Sequence, residues 1–163
     1  MSTMYMMIGI PGSGKSTEAK RLGKSLGIPV ISSDEIRKDL TGSEEDFSMD
    51  KEIWTSVIPR RLRSALKEGD VVFDATNLRV RGRNTIRRSI GTEHSCCAVY
   101  MDTPLEVCIK RQEARERKVP RERIEEMHSA LVPPTVSEGF DYVLVVEYER
   151  AHVCYEPEDP EKI

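Results

Sequence analysis

Two periodicities alternate along this chain. Short, nearly continuous apolar runs fall at Met4-Tyr5-Met6-Met7-Ile8, Pro29-Val30-Ile31-Ser32, Val71-Val72-Phe73-Asp74, Ser95 to Met101 and Tyr142 to Val146. Such runs suit strands buried on both faces. Between them, apolar residues recur at three- and four-residue steps, as one face of a helix requires. The sets are Ala19, Leu22 and Leu26; Ile36 and Leu40; Trp54, Ile58, Leu62 and Leu66; Leu105, Cys108 and Ile109; and Ile124, Met127 and Leu131. A basic helix is expected around Arg83 to Ile90. Strand and helix in strict alternation predict a five-stranded, mainly parallel sheet with helices on both faces. Gly27 stops the first helix, Pro59 kinks the helix over 51–67, Pro120 suits a first helical turn and Pro133-Pro134 ends the last helix. Trp54 reads as a core anchor. The polar, acidic stretch from Thr41 to Asp50 reads as a loop, and Tyr142 to Val146 as the last strand. Residues 1–147 form one domain, followed by a polar, acidic tail over 148–163.

The turn after the first strand carries the sharpest chemical signal. Gly9-Ile10-Pro11-Gly12-Ser13-Gly14-Lys15-Ser16-Thr17 matches the phosphate-loop pattern between a strand and a helix. Gly9, Gly12 and Gly14 let backbone N–H groups turn inward around a phosphate chain. Lys15 can reach the β- and γ-phosphates, and Ser16 offers a hydroxyl to Mg²⁺ at the positive end of the helix. The nucleotide set is therefore Gly9, Pro11, Gly12, Ser13, Gly14, Lys15, Ser16 and Thr17.

Composition narrows the class. Of 163 residues, 38% are hydrophobic and 33% charged, and no apolar run approaches the length of a membrane span. The apolar N-terminal stretch feeds into the phosphate loop, so it reads as a core strand and not as a signal peptide. Cys96, Cys97, Cys108 and Cys154 show no metal spacing with His94, His128 or His152, and reduced thiols in a cytoplasmic protein are expected. Cys96 and Cys97 should face opposite sides of one strand. A net charge of −3 argues against a general nucleic-acid coat protein. Yet Arg79, Arg81, Arg83, Arg87 and Arg88 form one basic cluster, and Arg60, Arg61 and Arg63 another. Each is either a solvated helix face or part of a local anion-binding surface.

Phosphoryl transfer needs an acceptor-activating group and cations for the developing charge. Asp34 and Arg37 follow the second strand at the sheet edge where ligands bind in open α/β folds, one helical turn apart. Asp34 can act as a base toward an acceptor hydroxyl, and Arg37 can hold an acceptor phosphate; alternatively, Asp34 or Ser33 caps the helix and Arg37 is its surface partner. Asp74 ends the third strand, where an acid can sit near Mg²⁺. Asn77 and, beyond it, Arg83 are placed on the acceptor side; alternatively, Asp74 and Asn77 only make the strand-to-helix turn. Arg111 and Arg115 share a helical face and either close over ATP phosphates as a lid or pair with Glu113 and Glu116.

Taken in order, the phosphate loop, Ser32-Ser33-Asp34-x-x-Arg37, Asp74-Ala-Thr-Asn77, Arg111-x-x-x-Arg115, Val119-Pro120, Met127 and Glu138-Gly139-Phe140-Asp141 resemble the 5′-hydroxyl polynucleotide kinase family. The similarity runs from residue 4 to about 146. It implies a three-layer P-loop NTPase fold with a small helical lid. It also implies Mg²⁺- and ATP-dependent transfer to the 5′-hydroxyl of a DNA or RNA end, which would be the partner. In that scheme Asp34 is the general base, Arg37 an acceptor-phosphate ligand, and Lys15, Ser16 and Arg115 serve the ATP phosphates. Gln112 stands where the family's lid has Asn. Two other readings remain: a kinase for a nucleoside, sugar or antibiotic hydroxyl, and an ATP-binding switch that transfers nothing.

Overall fold

The computed structural model describes residues 1–116 and 119–148, together with the backbone of 153–155. The expectation for the tail, apart from that short stretch, lies outside the described residues.

The five predicted strands form one parallel sheet. They are β1 (Thr3–Ile8), β2 (Val30–Ser32), β3 (Val71–Asp74), β4 (Ser95–Asp102) and β5 (Tyr142–Glu147), in the order β2-β3-β1-β4-β5. A sixth strand, β6 (Val153–Tyr155), runs antiparallel to β5, so Tyr142 to Val146 is not the last strand. The return pass covers an edge that would otherwise present unpaired backbone groups. β1 lies centrally, hydrogen-bonded to β3 and β4, and this places the loop that follows it in the middle of the sheet's carboxyl edge. Each strand sends alternate side chains to opposite faces. Met4, Met6, Ile8, Phe73 and Cys96 join one core, while Met7, Val72 and Cys97 join the other. The adjacent cysteines thus face opposite layers, as expected. Burial pushes the Cys96 thiol up to about 11.

The helices are α1 (Lys15–Leu26), α2 (Ser33–Thr41), α3 (Asp50–Glu52), α4 (Ile58–Glu68), α5 (Val80–Ile90), α6 (Leu105–Glu113) and α7 (Arg121–Ala130). Gly27 ends α1 in the left-handed conformation. The buried stripe of α1 is Ala19 and Gly23, and Leu26 is exposed. Small residues bring this helix so close to the sheet that a Cβ on Gly23 would lie 2.7 Å from Val30 Cγ2. Leu40 is likewise exposed, whereas Ile36 is buried.

The helix expected over 51–67 is three pieces. Pro59 lacks an N–H, so the regular four-residue ladder cannot run through it. Residues Ile53–Val57 widen into a π turn, and the Ile58 N–H bonds to the Ile53 carbonyl. Trp54 packs edge-on against Phe73 with 6.0 Å between centroids, as a core anchor should. The basic helix begins at Val80 rather than Arg83. Among the described residues, no helix is long and apolar enough to cross a membrane.

Candidate active site

The phosphate loop is shaped by contacts that pull its carbonyls outward. Arg111 Nη1 donates to the Gly12 carbonyl at 3.1 Å, and Thr103 Oγ1 donates to the Ser13 carbonyl at 2.8 Å. Gly12 and Gly14 have φ of 85° and 88°, a region in which a side chain is strained. At Gly12 space is also closed, because a Cβ would collide with the Cys108 carbonyl of α6. Gly14 caps α1, whose first residues are Lys15, Ser16 and Thr17. Ser13 is buried and its hydroxyl has no hydrogen-bond partner. A buried hydroxyl in this state is an offer to a ligand oxygen, and the cradle fits a phosphate chain.

Lys15 Nζ donates to Asp74 Oδ1 at 2.6 Å, with both side chains largely buried. The loop lysine and the acid at the end of β3 therefore share one point beneath the loop. Ser16 is exposed at the start of α1. Its hydroxyl and the Asp74 carboxylate are hard oxygen donors of the kind Mg²⁺ takes. Among the described residues no group of three or more His, Cys, Asp or Glu side chains could form a closed metal cage. This donor set fits an ion held partly by phosphate oxygens.

On the neighbouring strand, Ser32 is the register partner of Asp74. Its hydroxyl accepts from the Glu35 N–H at 3.3 Å and caps α2. The cap is thus Ser32, not Ser33 or Asp34, which leaves Asp34 clear of capping duty. The Asp34 side chain is 54% exposed and accepts from Arg37 Nη1 at 2.9 Å. Arg37 itself is 5% exposed. Its Nε and Nη2 grip the two oxygens of Asp50 at 2.7 and 3.0 Å, Nη1 also reaches the Glu44 carbonyl at 3.3 Å, and the Phe47 ring lies 4.6 Å from the guanidinium. Hydrogen bonding to Asp50, ahead of the cost of burial, holds its pKa above the ordinary arginine value. No spacing rule in the sequence marks Asp50 or Phe47, because they reach Arg37 through a fold of the chain.

Of the segment expected to form a lid, Arg111 and Gln112 lie against the loop. Arg111 braces Gly12 and stands 5.6 Å from the Tyr148 ring. With its amide oxygen turned toward the donors, buried Gln112 accepts from the Gly12 N–H at 3.1 Å and from Arg115 Nη1 at 3.2 Å. Arg115 is exposed just beyond α6, which ends before the charged stretch Arg117-Lys118, residues outside the description.

The structure turns two of the residues expected on the acceptor side, Arg83 and Asn77, into the interior. Arg83 is 0% exposed. It forks onto both oxygens of Glu138 at 2.7 and 2.9 Å and donates to the carbonyls of Asn77, Leu78 and Val132. Four of its five N–H groups are engaged and the side chain is closed off from solvent, so it does not face an acceptor. Asn77 is buried with φ of 48°, and its amide nitrogen donates to the Met7 and Ala75 carbonyls. It holds the strand-to-helix turn. Arg87 is also turned inward, onto Asn84, Glu138 and the face of Phe140. The basic cluster at 79–88 is therefore partly an internal brace. Burial raises the Glu138 pKa, but the Arg83 hydrogen bonds, the Thr135 N–H and the two arginine charges outweigh it, and the carboxyl lies below the ordinary range.

The family model described as an AAA domain matches residues 4–134. The chain is 27% identical over 144 residues to the cytidylate kinase of Methanopyrus kandleri, covering 77% of this chain and 73% of that protein. It is 29% identical over 130 residues to the adenylate kinase of Thermotoga maritima, covering 71% of this chain and 59% of that one. A gluconokinase from Sinorhizobium meliloti superposes with a TM-score of 0.64 at 21% identity, covering 91% and 84% of the two chains. A chain of the Pnkp1/Rnl/Hen1 RNA repair complex superposes at 0.71 and 23% identity, covering 80% of this chain and 44% of that one. With a phosphate loop at the carboxyl edge of a parallel sheet, this chain belongs to the AAA domain family and has the fold of a P-loop kinase.

Proposed function

We propose that this protein transfers the γ-phosphate of ATP to the 5′-hydroxyl of a DNA or RNA end. The observation that carries the reading is the Asp34–Arg37 pair. It presents an uncapped, half-exposed carboxylate on α2, whose cap is the strand neighbour of the Asp74 end of β3, while Asp74 holds Lys15. A module that only binds nucleotide has no use for that carboxylate.

The residues divide the work. The loop N–H groups, Lys15 and the exposed Arg115 bind the donor phosphates and meet the charge that develops on them. Ser16 and Asp74 would hold Mg²⁺, which supplies further charge neutralisation when bound. Asp34 accepts the proton of the attacking hydroxyl, and Arg37 positions both Asp34 and the acceptor. Arg111 and Gln112 keep the loop in shape from above.

A small-molecule acceptor is the second reading. It is favoured by the inward commitment of Arg83 and Arg87, which shortens any basic path for a polynucleotide, and by relatives whose names are those of nucleotide and sugar kinases. Incubation with γ-labelled ATP and a 5′-hydroxyl oligonucleotide, its 5′-phosphorylated control, nucleosides and sugars decides between them. Label on the 5′-hydroxyl oligonucleotide alone is expected. Asp34→Asn should bind ATP as the unaltered protein does yet transfer at least ~10²-fold more slowly. Full transfer by Asp34→Asn would refute its role as base.

A further inference from the structure

We infer that Asp50 is a specificity-determining residue of the acceptor site: it occupies the forked face of Arg37 that an acceptor phosphate must take, and so sets how strongly phosphate-bearing acceptors are held. This rests on the reading of Arg37 as the acceptor-phosphate ligand.

The geometry is an ion pair made across thirteen residues. Gly42, with φ of 87°, ends α2 and reverses the chain. Thr41 Oγ1 pins the reversal, with its one O–H lying within hydrogen-bond distance of the Arg37 and Ser43 carbonyls at 2.7 and 2.8 Å. The chain then returns through a short 3₁₀ turn, Phe47–Met49, held by the Asp46 side chain, to Asp50 at the start of α3. Residues 42–50 thus form a strap, and its two ends bring the Glu44 carbonyl and the Asp50 carboxylate onto one guanidinium.

Four of the five N–H groups of Arg37 are taken by these contacts and by Asp34. A phosphate binds arginine best through two parallel N–H donors. The Nε–Nη2 edge is filled by Asp50. The Nη1–Nη2 edge is obstructed because Nη1 serves both Asp34 and Glu44. A phosphate can therefore gain a two-pronged grip only by displacing Asp50, whose negative charge also repels it. Asp50 is the partner that can yield. Its side chain is 28% exposed, against 6% for Arg37, so water can receive the released carboxylate. Asp34 must stay, since it carries the reaction.

Asp50 then acts as an internal competitor. An acceptor without a phosphate leaves the Arg37–Asp50 pair in place and gains nothing from Arg37. An acceptor with a phosphate next to its hydroxyl exchanges one anion for another. Removing the charge of Asp50 should strengthen the second class and leave the first unchanged.

The test is calorimetric titration of the full chain with a nucleoside 3′-monophosphate and with the matching nucleoside, beside transfer assays with γ-labelled ATP. Asp50→Asn should bind the 3′-monophosphate about tenfold more tightly, the scale of one charge-assisted hydrogen bond, with nucleoside affinity unchanged. Asp50→Ala should give the same order and covers the case in which Asp50→Asn folds poorly. Arg37→Met combined with Asp50→Asn should lose the selective gain. An equal change for both probes, weaker binding of both, or no binding of the 3′-monophosphate to any of these proteins overturns the inference and makes the pair a structural brace. The kinase reading fails separately. If no hydroxyl in the panel is phosphorylated while Asp50→Asn still gains phosphate selectivity, the competitor role stands without the acceptor assignment. Transfer without selectivity removes the competitor role alone.

Discussion

Replacing Arg83 with Met tests whether the basic segment after β3 is a brace or an acceptor surface. Arg83 is wholly buried, and its side chain joins three parts of the chain: the turn at 77–78, Val132 after α7, and Glu138. Met fills much of the same volume and removes every donor. Glu138, 6% exposed, then keeps only Arg87 at 3.4 Å and the Thr135 N–H at 3.2 Å among its described side-chain partners. The Leu78 carbonyl retains the Val132 N–H, while the Asn77 and Val132 carbonyls lose a donor. Breaking one side of a buried ion pair costs about 3–5 kcal/mol. For a domain of this length each kcal/mol moves Tm by roughly 2–4 °C, so a fall of roughly 6–20 °C is expected. Circular dichroism melts and urea titrations would read it. Adding Glu138→Leu to Arg83→Met should recover much of the loss, because the stranded carboxylate goes with its partner. A Tm within about 2 °C of the unaltered protein, at most about 1 kcal/mol on that scale, together with a raised acceptor KM, would refute the brace and return Arg83 to the acceptor site.

Three further outcomes follow from the same structure. Gly12→Ala should abolish ATP binding in calorimetry, since the new Cβ meets the Cys108 carbonyl at a φ of 85°; normal affinity would show that the loop tolerates a different shape. Lys15→Ala should weaken ATP binding and slow transfer by on the order of 10²-fold or more, and near-normal turnover would remove the loop lysine from the chemistry. Glu138 has a folded pKa below its ordinary 4.5, so the stability it contributes is complete above pH 4.5 and is lost as pH falls through the lower folded value; Glu138→Gln should flatten that acid limb of a Tm-against-pH curve, and an unchanged limb would exclude Glu138 as its source.

The alternation of strands and helices and the phosphate-loop pattern were legible in the sequence, whereas the return strand β6 and the π turn at Ile53–Val57 were not. Strand–helix alternation made the parallel sheet, and the glycines and Lys15 of residues 9–17 made the phosphate cradle, because both depend on short-range spacing that any fold must respect. The family resemblance also included Glu138-Gly139-Phe140-Asp141. The roles of that unit came only from the tertiary structure: Glu138 pairs with Arg83, Phe140 lies 4.4 Å from the Arg87 guanidinium, and Asp141 accepts from the Cys96 N–H at 2.8 Å. Of the arginines that look like an anion surface in one dimension, Arg83 is buried and Arg87 half-buried in three, because helix α5 turns one face of its charge toward the Glu138 turn, fifty-five residues away for Arg83. In the same way the partner of Arg37 could not be read from Asp34-x-x-Arg37, since Asp50 arrives through a loop whose path is decided by Gly42 and by packing. Local spacing fixes which groups share a helix face. Which charge meets which counter-charge is decided by long-range folding, where burial makes an unpaired arginine too costly to leave alone.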